Sequence, residues 1–131
     1  MREAEPRPDT IRVCVEPGRR RVLASALDWP GWARSGRDEA AALEAVASYA
    51  GRYAAVAEAA GLEAPRPGDA GTAPRLHVVE RLPVYADPDF GVPGRAAAVE
   101  VALLGEAEAA RRAALVAAAW EVFDAVAART P

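Results

Sequence analysis

Residues 27–43 read LDWPGWARSGRDEAAAL. Pro30 and Gly31 enforce a reversal, because proline fixes φ and glycine admits backbone angles that other residues resist. Residues 32–35 then have enough extended character for a short strand that ends at Gly36. Asp38 stands just ahead of an apolar periodic run, where its carboxylate can accept the free N–H groups of a first helical turn and suits the positive end of the helix dipole. The stretch therefore predicts a strand-to-helix corner, with sheet upstream of it and helix downstream.

Upstream, residues 10–16, TIRVCVE, alternate so that Ile11, Val13 and Val15 share one face and Arg12, Cys14 and Glu16 the other, the period of a strand. Pro17 and Gly18 supply turn chemistry, and residues 20–27, RRVLASAL, resume an extended pattern, so the two segments predict an antiparallel hairpin. Downstream, Leu43, Val46, Ala50, Tyr53 and Ala57 recur at spacings of three and four, one face of a single long helix that Gly61 closes as its C′ residue. Gly51 costs that helix about 1 kcal/mol relative to alanine, so a kink or local break near it is expected.

Farther along, residues 65–74 form a Pro/Gly-rich stretch without periodicity, expected to be a flexible loop. Residues 76–84, LHVVERLPV, carry the β-branched content of a fourth strand. Residues 85–94 are turn-formers around two aromatics, and residues 95–104 satisfy neither period. From 106 to 129 the pattern clears into a long helix with two adjoining stripes, Leu115, Ala119, Val122, Val126 and Val116, Trp120, Phe123, Ala127. So wide an apolar face reads either as that of an ordinary core helix or, because it needs more cover than one small sheet edge gives, as one covered by a second protomer or a partner.

A chain of 131 residues fits one domain, 1–131, with the C-terminal helix at 105–129. The hydrophobic fraction is 52%, but much of it is alanine, which favours close helix packing over a bulky core. The net charge of −3 argues against a nucleic-acid surface, and Arg19, Arg20 and Arg21, the one basic run, read as a solvated hairpin end. Without a lysine anywhere in the sequence, Schiff-base and P-loop chemistry are excluded. A single cysteine, Cys14, in an alternating apolar segment reads as a buried thiol in a reducing compartment. The N-terminus is charged and proline-containing where a signal peptide is apolar, and no run reaches transmembrane length, so no membrane association and a cytoplasmic location are expected.

Catalytic constellations are weak. His77 is the only histidine and has no cysteine or carboxylate at ligand spacing, so neither a metal nor another cofactor is expected. Ser25, Ser35 and Ser48 lack a nucleophile-elbow context. Asp89, Phe90 and Gly91 spell DFG without any companion kinase segment, and Asp87 and Asp89 around Pro88 read as a turn. Trp29 and Trp32 bracket the Pro30-Gly31 turn, where they either cap the core or, with Arg34 and Arg37, face a partner.

Residues 27–43 also resemble the HicB family, the antitoxin component of a bacterial toxin–antitoxin pair, with Asp28, Pro30, Gly31, Gly36, Asp38, Ala42 and Leu43 falling in order on the family's pattern. The resemblance covers about the first 60 residues and extends more weakly to the strand at 76–84. It implies a partly degraded ribonuclease-H-like fold without catalytic residues that binds a small toxin nuclease. HicB antitoxins usually end in a DNA-binding segment, whereas this chain ends in one Ala-rich helix.

The expectation is thus an α+β domain in β-β-β-α-β-α order, its small sheet mostly antiparallel, with a long C-terminal helix packed beside the first or on a second subunit. The expected function is a non-catalytic protein-binding module, itself expected to be a homodimer, that contacts another protein through Asp28, Trp29, Trp32, Arg34 and Arg37 and through the exposed part of the C-terminal helix. The competing expectation is a small-molecule binder or enzyme whose pocket between sheet and C-terminal helix uses Asp89, Phe90 and Trp120.

Overall fold

A computed structural model describes residues 10–65, 74–91 and 93–130. Its elements are β1 (Thr10–Pro17), β2 (Val22–Ala26), β3 (Ala33–Gly36), α1 (Glu39–Ser48), α2 (Ala50–Ala59), β4 (Arg75–Arg81) and α3 (Glu106–Arg129). Two short 3-10 turns, Asp87–Phe90 and Ala98–Val101, lie between β4 and α3. Most of the loop expected at 65–74 falls outside the described residues.

The architecture is α+β with a long C-terminal helix, but the sheet is mixed and the element order is β-β-β-α-α-β-α. Strands lie in the order β3-β2-β1-β4, with β1 and β3 antiparallel to β2 and β4 parallel to β1. The parallel pairing follows from the connection. A tight turn returns a chain antiparallel, whereas the helical crossover through α1 and α2 brings it back in its original direction.

One face of the sheet carries the main core. Ile11, Val13 and Val15 of β1 and Ala24 and Ala26 of β2 meet Ala42, Val46, Ala50, Tyr53 and Ala57 of the helices, all buried. Ala42 takes the fully buried place expected of Leu43, which packs at the margin of that cluster. Leu76 and Val78 extend the same face onto β4. A bulge follows at Val79, so that Glu80 pairs with Cys14 and Arg81 with Val15. The change of phase turns Arg81 toward α1, where it makes a two-pronged ion pair with Glu39 at 2.7 and 3.0 Å. On the opposite face Cys14, Leu27 and Ala97 form a smaller cluster.

The expected long helix is two helices, and the break expected near Gly51 falls two residues earlier, at Tyr49 (ψ −6°). The Val46 carbonyl accepts the Trp32 indole N–H at 2.9 Å and the Tyr49 amide at 3.2 Å. A side-chain donor inserted beside the helix ladder is a recognised cause of such a break. The buried stripe nevertheless runs through it without interruption. Both ends form as the sequence predicts: Asp38 accepts from the Ala41 amide at 2.8 Å, and Gly61 takes φ +74° at C′. There the Leu62 amide reaches the Ala57 carbonyl at 2.8 Å and the Gly61 amide reaches Glu58 at 2.9 Å, a Schellman closure.

Candidate functional site

The corner at 27–43 shows what each of its residues does. Gly31 adopts φ +86° in the turn, and the Trp32 carbonyl returns to accept the Ala26 amide at 2.8 Å. At Gly36 a Cβ would lie 2.4 Å from the Ala42 nitrogen and 2.6 Å from the Ala41 carbonyl carbon, so only glycine lets β3 pass so close to α1. Trp29 and Trp32 are both buried, at 8% and 1% exposure, and so serve the core. Trp32 stacks on Tyr53 with centroids 5.0 Å apart, Trp29 meets the same ring edge-on at 5.9 Å, and the Tyr53 hydroxyl donates to the Pro30 carbonyl at 2.7 Å. Burial pushes the Tyr53 phenol up to about 12. Of the residues expected to contact a partner, only Arg34 and Arg37 are exposed; Arg34 lies over the Tyr49 ring at 5.0 Å, and Arg37 is 4.0 Å from the Asp38 carboxylate.

Asp28 is half-buried and tied to Arg12 by two hydrogen bonds, at 2.8 and 2.5 Å. That bonding holds its carboxyl below the usual carboxylate range in spite of partial burial, with the charges of Arg12, Arg112 and Arg111 acting the same way. Its backbone carbonyl accepts from Arg111 at 2.7 Å, and the Arg111 guanidinium lies 4.3 Å over the Trp29 ring. Glu108 accepts from both Arg111 and Arg112, at 3.2 and 3.1 Å. The corner and the first half of α3 are therefore fastened by a charged network that borders a cleft of about 550 Å³. Sequence reading passed over this network, although Glu108 with Arg111 and Arg112 stands at the i,i+3 and i,i+4 spacings that bring opposite charges together on a helix.

Beyond that network α3 is barely covered. Only Leu115 and Ala118 are buried, Val122 is half-buried, and the stripe Val116, Trp120, Phe123 and Val126 stands 49%, 65%, 63% and 49% exposed. Trp120 and Phe123 meet edge-to-face, 6.2 Å apart. With Val116, Ala119, Pro30 and Gly31 they line an apolar groove of about 430 Å³. This face is the candidate functional site.

The expected pocket of Asp89, Phe90 and Trp120 is not assembled. Asp89 closes the β1–β2 hairpin, its carboxylate accepting the backbone N–H groups of Arg19, Arg20 and Arg21 at 3.1, 2.7 and 2.7 Å. Those hydrogen bonds, the one from Arg21 foremost, hold its carboxyl below the usual range. Phe90 is 81% exposed, and neither residue lines the groove that contains Trp120.

Groups with chemical potential elsewhere are occupied or quiet. Burial, aided by Glu16, Glu100 and Glu80, pushes the Cys14 thiol up to about 12, so it stays protonated and a poor nucleophile. Glu16, the one buried charged residue among those described, accepts from the Tyr85 hydroxyl and from the Gly94 and Arg95 amides, both at 3.3 Å, and pins that loop to the sheet. His77 is exposed on β4. Among the described residues no three His, Cys, Asp or Glu side chains gather as a metal site, and no helix is long and apolar enough to cross a membrane. No protein-family model matches the chain, and no curated protein or solved structure matches it either.

Proposed function

We propose that this chain is a non-catalytic protein-binding module whose docking surface is the exposed face of α3 together with the Pro30-Gly31 turn. The observation that carries the reading is the contrast within α3. Its N-terminal half is fastened by Arg111 and Arg112, which both reach Asp28, and by buried Leu115, while Trp120 and Phe123, residue types enriched at protein interfaces, face outward. A contiguous apolar patch of this kind marks an interaction site more often than an idle surface. The HicB-like pattern at 27–43 supports the same class of function and, carried over, makes a small toxin nuclease one such partner.

The test is affinity capture with the wild-type chain and with Phe123→Glu, each checked for an unchanged circular dichroism spectrum. The expected result is a protein, either another chain or a second copy, retained by the wild type and lost by the variant. Absence of any protein partner, together with thermal stabilisation by a small metabolite, would overturn the reading. One feature favours that second function: the Ser25 hydroxyl oxygen is buried without a hydrogen-bond partner beside a cleft of about 290 Å³ lined in part by Cys14, Glu16 and Arg95.

A further inference from the structure

We infer that the occupant of this face is a second copy of the chain, with the two α3 helices antiparallel about a two-fold axis between Trp120 and Phe123. The inference rests on the protein-binding reading and names its partner. Ala113, Val116, Trp120, Phe123, Ala127 and Thr130 recur at alternating spacings of three and four, the seam that packed helices present to each other. The seam lies away from the side of α3 that holds Leu115 and Ala118, so a second helix can cover it without displacing the core.

The seam is also its own complement. A two-fold interface requires one patch to fit itself. Read in reverse, this one keeps its order of sizes, with bulk in the middle and small residues outside. Antiparallel pairing sets Trp120 against Phe123 of the second copy, Val116 against Ala127, and Ala113 against Thr130. The aromatic pairs meet at the centre, and the small residues outside them let the helix ends approach.

Area gives the third argument. Aromatic side chains of roughly 150–250 Å² each, about two-thirds exposed here, together with the half-exposed Val116 make a patch of roughly 300–400 Å² per copy. Two copies then bury roughly 600–800 Å² of apolar surface. At an apolar share of about 65%, that corresponds to an interface of roughly 900–1,200 Å² in total, at the lower edge of the stable range. Charge sets the expected salt response. Asp124, with Glu121 behind it, lies on one flank of the seam, and antiparallel pairing brings that flank onto itself. Association is therefore strengthened when salt screens the repulsion, whereas a basic partner would be released.

Sedimentation velocity on the purified chain tests this over roughly 1–100 µM, the range in which an interface of modest size dissociates. The expected result is a shift from the chain mass to twice that mass, stronger at high salt and absent in Phe123→Glu. Orientation is read in a Cys14→Ser background by mixing Val116→Cys chains with Ala127→Cys chains under oxidation. The mixed disulfide is expected to dominate, and dominance of like-with-like disulfides would overturn the antiparallel arrangement. A wild-type chain that stays monomeric while capturing another protein through Phe123 overturns the second copy and leaves the binding module standing. A monomer that captures nothing overturns both.

Discussion

Two aromatic clusters in this small molecule have opposite surroundings. Trp29, Trp32 and Tyr53 are buried, mutually stacked, and joined to the backbone through Trp32 to Val46 and Tyr53 to Pro30. Trp120 and Phe123 meet each other edge-to-face along the groove beside Pro30 and Gly31, and most of each ring stands in solvent. The first cluster spends both its apolar area and its polar handles inside the chain, so it specifies the fold. The second leaves its area unspent, and that makes it available for recognition. The difference teaches that aromatic content beside a turn says little about function until the destination of the hydroxyl and indole donors is known.

The contrast breaks most readily at Trp32. Trp32→Ala is expected to cost roughly 3–5 kcal/mol of folding stability, the loss of a large buried side chain with the cavity it leaves. The same change at Trp120 should stay within about 0.5 kcal/mol for the monomer, as surface substitutions do. Urea unfolding of both variants at concentrations too low for association measures the difference. Comparable losses at the two sites would mean that α3 is packed far more tightly than its exposures indicate.

Next in size is Gly36, which permits the corner that holds the first cluster. Gly36→Ala drives a methyl into the backbone of Ala41 and Ala42, whose atoms belong to the start of α1 and cannot move alone. The expected cost is about 1–3 kcal/mol, the range found for overpacking. An unchanged unfolding midpoint would show that β3 and α1 sit farther apart than the corner requires.

A smaller effect belongs to Asp28, which ties the buried cluster's corner to Arg12 and, at 3.8 Å, to Arg112 of α3. Its carboxyl has a lower pKa in the folded chain than in the unfolded one. The stabilisation is therefore complete above the unfolded value, about 3.9, and is lost as pH falls through the folded value. Asp28→Asn should cost about 1 kcal/mol near neutral pH, allowing for solvent screening of a partly exposed pair, and progressively less as pH falls through the folded value. Thermal unfolding of wild type and variant across that range should converge toward the acid end. A constant gap would assign the loss to packing and not to the ion pair.

Much of this was legible in the residues. The alternation at 10–16, the cap at Asp38, the stop at Gly61 and the long helix from Glu106 to Arg129 all follow from local patterns, and local patterns are what a single sequence carries. The direction of β4 was not legible, since a strand's period-two pattern is the same whichever way it runs. The break near Gly51 was legible, but its placement at Tyr49 was not, for a related reason. Gly51 was the local signal, but the Val46 carbonyl is engaged by Trp32, fourteen residues earlier in the chain, and such a contact leaves no mark in the helix's own sequence. The burial of Trp29 and Trp32 was undecidable on the same ground. The width of the apolar face on α3 was legible from its two stripes, but its exposure was not, because an ordinary core helix carries the same stripes.

The finest test of the contrast is optical. The chain has three tryptophans, of which Trp29 and Trp32 are 8% and 1% exposed and Trp120 is 65% exposed. Trp120→Phe keeps an apolar ring on α3 and should change stability by less than about 0.5 kcal/mol. Its effect on emission is specific: at dilutions where the chain is monomeric, the fraction of fluorescence quenched by iodide should be present in the wild type and nearly absent in the variant. A quenchable fraction that survived the substitution would place solvent at the Trp29 or Trp32 ring and dissolve the distinction between the clusters. In the wild type the same signal should fall as concentration rises, because a second α3 laid over Trp120 excludes the quencher from that ring and leaves the two buried ones as they were.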